Sequence, residues 1–156
     1  MKHGHIYLVA IMDWYSRYVI DWQLSISLEA EFCVDTLNRA LETSVCGIFN
    51  TDQGSQYTSK NWINTLIKRG VSISMDGKGR CFDNIFIERL WRSVKYECIY
   101  LQEFNSVAEV REALADYFDY YNTDRLHQSL DYNTPANAYF GKVKIENIFD
   151  NLTSIF

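Results

Sequence analysis

The 156-residue chain is 47% hydrophobic and 22% charged, a globular composition that excludes a disordered or fibrous protein. Its net charge of −5 weighs mildly against a nucleic-acid binder, because DNA affinity depends on Lys and Arg neutralising phosphates. The longest apolar run, Ile6 to Met12, is far below the roughly 20 residues of a membrane span, and no signal-peptide pattern opens the chain. The four cysteines form no CxxC pair, so reduced thiols, no zinc site and a cytoplasmic setting are expected.

In chain order, residues 5–12 (HIYLVAIM) form an apolar run suited to a strand covered on both faces. Asp13 to Arg17 reads as a turn, and residues 18–25 as a second strand pairing back on the first. Ser27 is placed to cap a helix over residues 28–43, with Cys33, Leu37, Ala40 and Leu41 as its apolar stripe. Residues 45–50 read as a third strand ending at Thr51-Asp52-Gln53-Gly54. Ser59 suits the cap of a helix through Lys68 that Gly70 closes, and residues 71–75 suit a fourth strand. The glycines of Gly77-Lys78-Gly79-Arg80 demand a loop. A helix over residues 83–98 follows. Ser106 and Glu109 then form a capping box for a helix to about Tyr121. Strands, then helices alternating with strands, then helices, predict one α/β domain over residues 1–141 with a tail over residues 142–156.

Two acids stand out. Asp52 lies just past the carboxyl end of a strand, where ligands bind in open α/β sheets, and Gly54 beside it permits close approach of backbone to a phosphate. Alone, Asp-Gln-Gly reads equally as a turn. At 100° per residue, Glu88 shares a polar helix face with Asn84, Arg92 and Lys95, while Ile87, Leu90, Trp91, Val94 and Cys98 fall on the buried side. Alone, that face reads as a surface ion-pair ladder. Charge is also uneven along the chain. Residues 78–95 carry Lys78, Arg80, Arg89, Arg92 and Lys95 against Asp83 and Glu88, whereas residues 101–131 carry seven acids against two arginines. A basic stripe on an acidic body is expected.

The joint pattern is more specific than either acid. Asp52 and Glu88 have 35 residues between them, and Lys95 follows Glu88 by seven positions. With IMDWYSRYVIDWQLS, FNTDQGSQYTS, ISMDGKGRCFDNIFIERLWRSVKYE, YYNTDRLHQSL and TPANAYF, the chain from about Tyr7 to Phe140 resembles the DDE transposases and retroviral integrases, most of all the bacterial insertion-sequence branch. The resemblance implies an RNase H-like three-layer α/β fold, a mixed sheet flanked by helices. It implies Asp52 and Glu88 as two catalytic carboxylates holding Mg²⁺ or Mn²⁺, with strand cleavage and strand transfer at one site. Hard oxygen donors suit such ions, and two carboxylates about 4 Å apart repel by roughly 4 kcal/mol at an effective dielectric near 20, so they require a cation. It further implies DNA contacts by Lys78, Arg80, Arg92 and Lys95, DNA as partner, and assembly with further copies or full-length transposase subunits.

The resembling family uses three acids. The first lies in an Asp-x-Thr-Tyr segment on the central first strand, about one strand and a turn before Asp-Trp-Tyr-Ser-Arg. Counting back from Asp13 puts that segment upstream of Met1, and no Asp or Glu precedes Asp13. The expectation is therefore a core lacking its first strand and first catalytic Asp, inactive alone, with Asp13 as a turn residue. The alternative is a non-catalytic fragment that binds DNA or transposase subunits. His127 is expected to pack, and Tyr57 either to pack or to stack on a base.

Overall fold

The computed structural model describes residues 5–75 and 85–141. Strand β1 (Tyr7–Met12) pairs antiparallel with β2 (Val19–Ser25), with a register shift at Ile11/Met12. Helix α1 (Glu31–Thr43) follows, then β3 (Ile48–Thr51), α2 (Lys60–Lys68) and β4 (Ser72–Met75), which pairs parallel to β3. Helices α3 (Ile85–Glu97) and α4 (Val107–Thr123) follow, and residues 135–141 form a further short helix.

The hairpin is the middle layer, and its alternation explains why it must be. Val9 and Ile11 point to one side and bury against Leu37 of α1 and Trp62 and Leu66 of α2. Leu8, Ala10 and Met12 point to the other side, where Leu90 and Val94 of α3 and Leu114 and Phe118 of α4 enclose Val19 and Leu24. A strand apolar on both faces is stable only between two layers of helix. Helix α4 is also tied to the hairpin by a polar bridge. The Asn122 side chain accepts from the Val19 N–H at 2.9 Å and donates to the Val19 carbonyl at 3.0 Å, both bonds buried.

The strands form two separate pairs, β1–β2 and β3–β4, and β1 does not hydrogen-bond to β3. A cavity of about 400 Å³ lies between them, lined by residues of β1 and β3, by Trp62 of α2 and by Ile87 and Trp91 of α3. Two buried polar atoms on its lining residues, Thr51 Oγ1 and Trp62 Nε1, have no hydrogen-bond partner among the described residues.

The caps follow chain chemistry with one exception. Ser59 Oγ accepts the Trp62 N–H, Ser106 Oγ accepts the Glu109 N–H, and Glu109 reaches back to the Asn105 N–H. Ser27 does not cap α1. Its N–H is taken by Ser25 Oγ in a local turn, and α1 starts at Glu31 with Ala30 at the cap position. Short-range side-chain bonding of this kind competes with capping. The third strand likewise begins later than expected, at Ile48, because Val45 stands fully exposed rather than in the sheet. The predicted loop Gly77-Lys78-Gly79-Arg80 lies outside the described residues.

Candidate active site

Asp52 emerges from a short parallel strand whose last residue, Thr51, is buried, so the next side chain leaves the core at the strand's carboxyl end. The segment after it folds as a tight turn. The Gly54 N–H donates to Asp52 Oδ1 at 2.7 Å, and the Gly54 carbonyl accepts from the N–H groups of Tyr57 and Thr58. Gly54 is needed for close approach here, since a Cβ would stand 2.8 Å from Asp52 Oδ1. Tyr57 turns inward and packs edge-on against Trp62, with ring centroids 4.9 Å apart. Burial, the dominant cause, pushes its hydroxyl well above the usual tyrosine range.

Across the cavity, Asp13 has a different role from Asp52. Its Oδ2 accepts both the N–H and the Oγ–H of Ser16, at 2.8 and 2.6 Å. Its carbonyl takes the Arg17 N–H, and its own N–H donates to the Tyr18 carbonyl. Asp13 builds the hairpin turn, although it lines the same cavity as Asp52.

The amphipathic reading of α3 holds. Leu90, Val94 and Cys98 are buried, while Glu88, Arg92 and Lys95 are exposed. The ion-pair ladder does not form among the described residues: Glu88 has no cation within salt-bridge distance, and the Arg92 guanidinium leans toward the Tyr96 ring at 5.9 Å. The structure thus brings α3 to the Asp52 cavity through Ile87 and Trp91, the neighbours of Glu88, while Glu88 itself does not line it. Lys78 and Arg80 fall outside the described residues. Among the described residues, no group of three His, Cys, Asp or Glu side chains is close enough to hold a metal ion. The donor chemistry still fits a hard divalent cation, for Asp52 and Glu88 are exposed carboxylates without ion-pair partners among the described residues.

Family models described as integrase core domain match residues 1–81 and residues 69–135. The chain belongs to the integrase core family. It is 36% identical over 145 residues to the transposase for insertion sequence element IS904 of Lactococcus lactis, covering 87% of this chain and 55% of that protein. It is 32% identical over 133 residues to the putative transposase InsK for IS150 of Escherichia coli, covering 83% of this chain and 47% of that protein. Among solved structures, a chain of the simian T-cell lymphotropic virus intasome, in complex with PP2A regulatory subunit B56 gamma, superposes with a TM-score of 0.74. That match has 14% identity and covers 88% of this chain and 49% of the other. The integrase core is therefore an RNase H-like α/β fold here, and the chain spans about half the length of the relatives it matches. Among the described residues, no helix is long and apolar enough to cross a membrane.

A second polar cluster on the integrase core escaped the sequence reading. Arg125 grips Glu97 of α3 through Nε and Nη2, at 2.9 and 2.7 Å, and Tyr117 of α4 donates its hydroxyl to the same carboxylate. The Arg125 hydrogen bonds hold the Glu97 carboxyl below the usual carboxylate range. His127 stands 3.3 Å from Arg125 Nη1 and packs edge-on against Tyr121. Desolvation, then the charges of Arg125 and Arg17, pushes it down to about 4, so it is neutral at pH 7. The partners come from α3, α4 and the segment after α4, and no local spacing reveals such a meeting. Packing is the role His127 takes.

Proposed function

We propose that this integrase core belongs to a DNA transposase and forms its catalytic part over residues 1–141, with residues 142–156 as a tail. The reading is carried by Asp52: an exposed carboxylate at a strand's carboxyl end, fixed by a glycine turn and lining a cavity that Ile87 and Trp91 of the Glu88 helix also line. Asp52 and Glu88 would hold a divalent cation, Mg²⁺ or Mn²⁺, which when bound polarises a phosphodiester and activates the attacking oxygen for in-line displacement. The Gly54 N–H holds Asp52 Oδ1 in position, and the Asp13 carboxylate is engaged in its own turn rather than offered to the ion. Arg92 and Lys95, exposed one and two turns beyond Glu88, suit contacts to the DNA backbone that position it without reading sequence. Lys78 and Arg80 are assigned the same role from the sequence. Similarity to transposases and to an intasome chain supports DNA as substrate and assembly with further subunits.

We further propose that this chain alone is inactive, for its two assigned carboxylates are fewer than the three that the resembling family uses. A strand-transfer assay with Mg²⁺ and donor duplex tests both statements. No joined product is expected from the chain alone. Product that is lost in Asp52→Asn and kept in Asp13→Asn would overturn the inactivity while supporting the site. Product lost in both variants would make Asp13 the third ligand. The exposed Arg92 and Lys95 face also supports a non-catalytic role in binding DNA or transposase subunits, which predicts duplex affinity that falls with salt and is indifferent to Asp52→Asn.

A further inference from the structure

Arg17 is placed at a cost to the backbone. Its φ is +63°, in the left-handed region that glycine or asparagine fills with least strain, and this residue closes the hairpin turn that Asp13 organises. The turn itself gains nothing from an arginine side chain. That side chain folds over the first turn of α3 instead, with its guanidinium carbon 3.5 Å from the centroid of the Phe86 ring. Phe86 is also met edge-on by Trp14, so the arginine lies on a small aromatic platform two residues from Glu88.

Among the described residues Arg17 has no carboxylate within salt-bridge distance. Burial is the first cause that holds its guanidinium below the usual arginine range; Tyr121 and Asp13 favour the cation, Arg89 on α3 opposes it, and Arg17 in turn acts on His127 beside Arg125. A guanidinium that is part-buried, stacked, unpaired and beside another cation is poised for an anion. Its planar fork matches phosphate geometry and is less hydrated than an ammonium, so stacking costs it little.

We propose that Arg17 and Arg89 form a phosphate-binding pair for the DNA backbone, at the first turn of α3. The proposal rests on the reading that DNA crosses α3, and it extends the basic face from Arg92 and Lys95 to the hairpin turn. Such contacts position the strand at the Glu88 helix and are sequence-independent.

The test is duplex binding by the whole chain in EDTA, followed as a function of salt. For each phosphate contact removed, the slope of log K against log salt falls by about 0.9. Arg17→Gln is expected to lower the slope by about that amount, and Arg17→Gln with Arg89→Gln by about twice it. Arg17→Gly removes the guanidinium while relieving the left-handed backbone, so it keeps the fold and is expected to show the same loss as Arg17→Gln. Wild-type slopes in Arg17→Gly and in the double variant overturn the phosphate pair. A wild-type chain with no salt slope at all would instead remove the DNA reading beneath it. EDTA removes any divalent ion, so failure of the metal site leaves this result untouched.

Discussion

Asn122→Ala is the substitution whose consequence is best defined by the structure. Asn122 is 9% exposed and its amide closes a two-bond bridge on Val19, which is 3% exposed. Truncation strands one buried N–H and one buried carbonyl, each costing about 1–3 kcal/mol when left without a partner. The expected loss is therefore roughly 2–6 kcal/mol, or about 4–24 °C in melting temperature for a domain of this size. Urea unfolding followed by circular dichroism measures it. Asn122→Leu separates the cause, because leucine refills the volume yet still cannot bond either group of Val19. If packing were the whole effect, Leu would recover most of the loss. The reasoning predicts that Leu recovers little, and a loss below about 0.5 kcal/mol in the alanine variant would refute it.

Two further outcomes follow from the site and its surroundings. Gly54→Ala should fold normally but displace the Asp52 carboxylate, since the new methyl would stand 2.8 Å from Oδ1. Mn²⁺ affinity should fall by about tenfold, the scale of losing a ligand's hydrogen-bond support, and an unchanged titration would contradict the placement. His127 is held near 4 by desolvation and by Arg125 and Arg17, with Glu97 opposing, while the unfolded chain titrates near 6.5. Between those values the unfolded state holds a proton that the folded state lacks, so stability declines as pH falls through that window. His127→Gln should flatten this decline between pH 7 and pH 5 in parallel unfolding curves, and an equal decline in both proteins would show that His127 is not its source.

How much was legible in the sequence depended on whether the cause was local. Ser59 and Ser106 announced their helices because a capping side chain bonds its own first turn. Glu88, Arg92 and Lys95 could be placed on the exposed face of α3, since helical period alone sets which side Leu90 and Val94 bury. Asp52 was visible as a strand-end acid, and Gly54 as its companion. What the sequence hid were meetings between distant segments. Asn122 reaches Val19 across 103 positions and Arg125 reaches Glu97 across 28, and neither pair shares a periodicity. Ser27 misled because a serine two residues from another serine can satisfy a local turn as easily as a helix end. Arg17 stood inside a motif used for family resemblance, but nothing in its spacing betrays a positive φ or a ring beneath it.

The central claim is that Asp52 and Glu88 together, without Asp13, are the carboxylates this integrase core offers to a divalent ion. Titration calorimetry with Mn²⁺ on the wild-type chain and on Asp52→Asn, Glu88→Gln and Asp13→Asn tests it most directly. The account predicts that the first two variants lose affinity by roughly tenfold or more and that Asp13→Asn binds as wild type. Wild-type affinity in Asp52→Asn or Glu88→Gln, or a loss confined to Asp13→Asn, would contradict it.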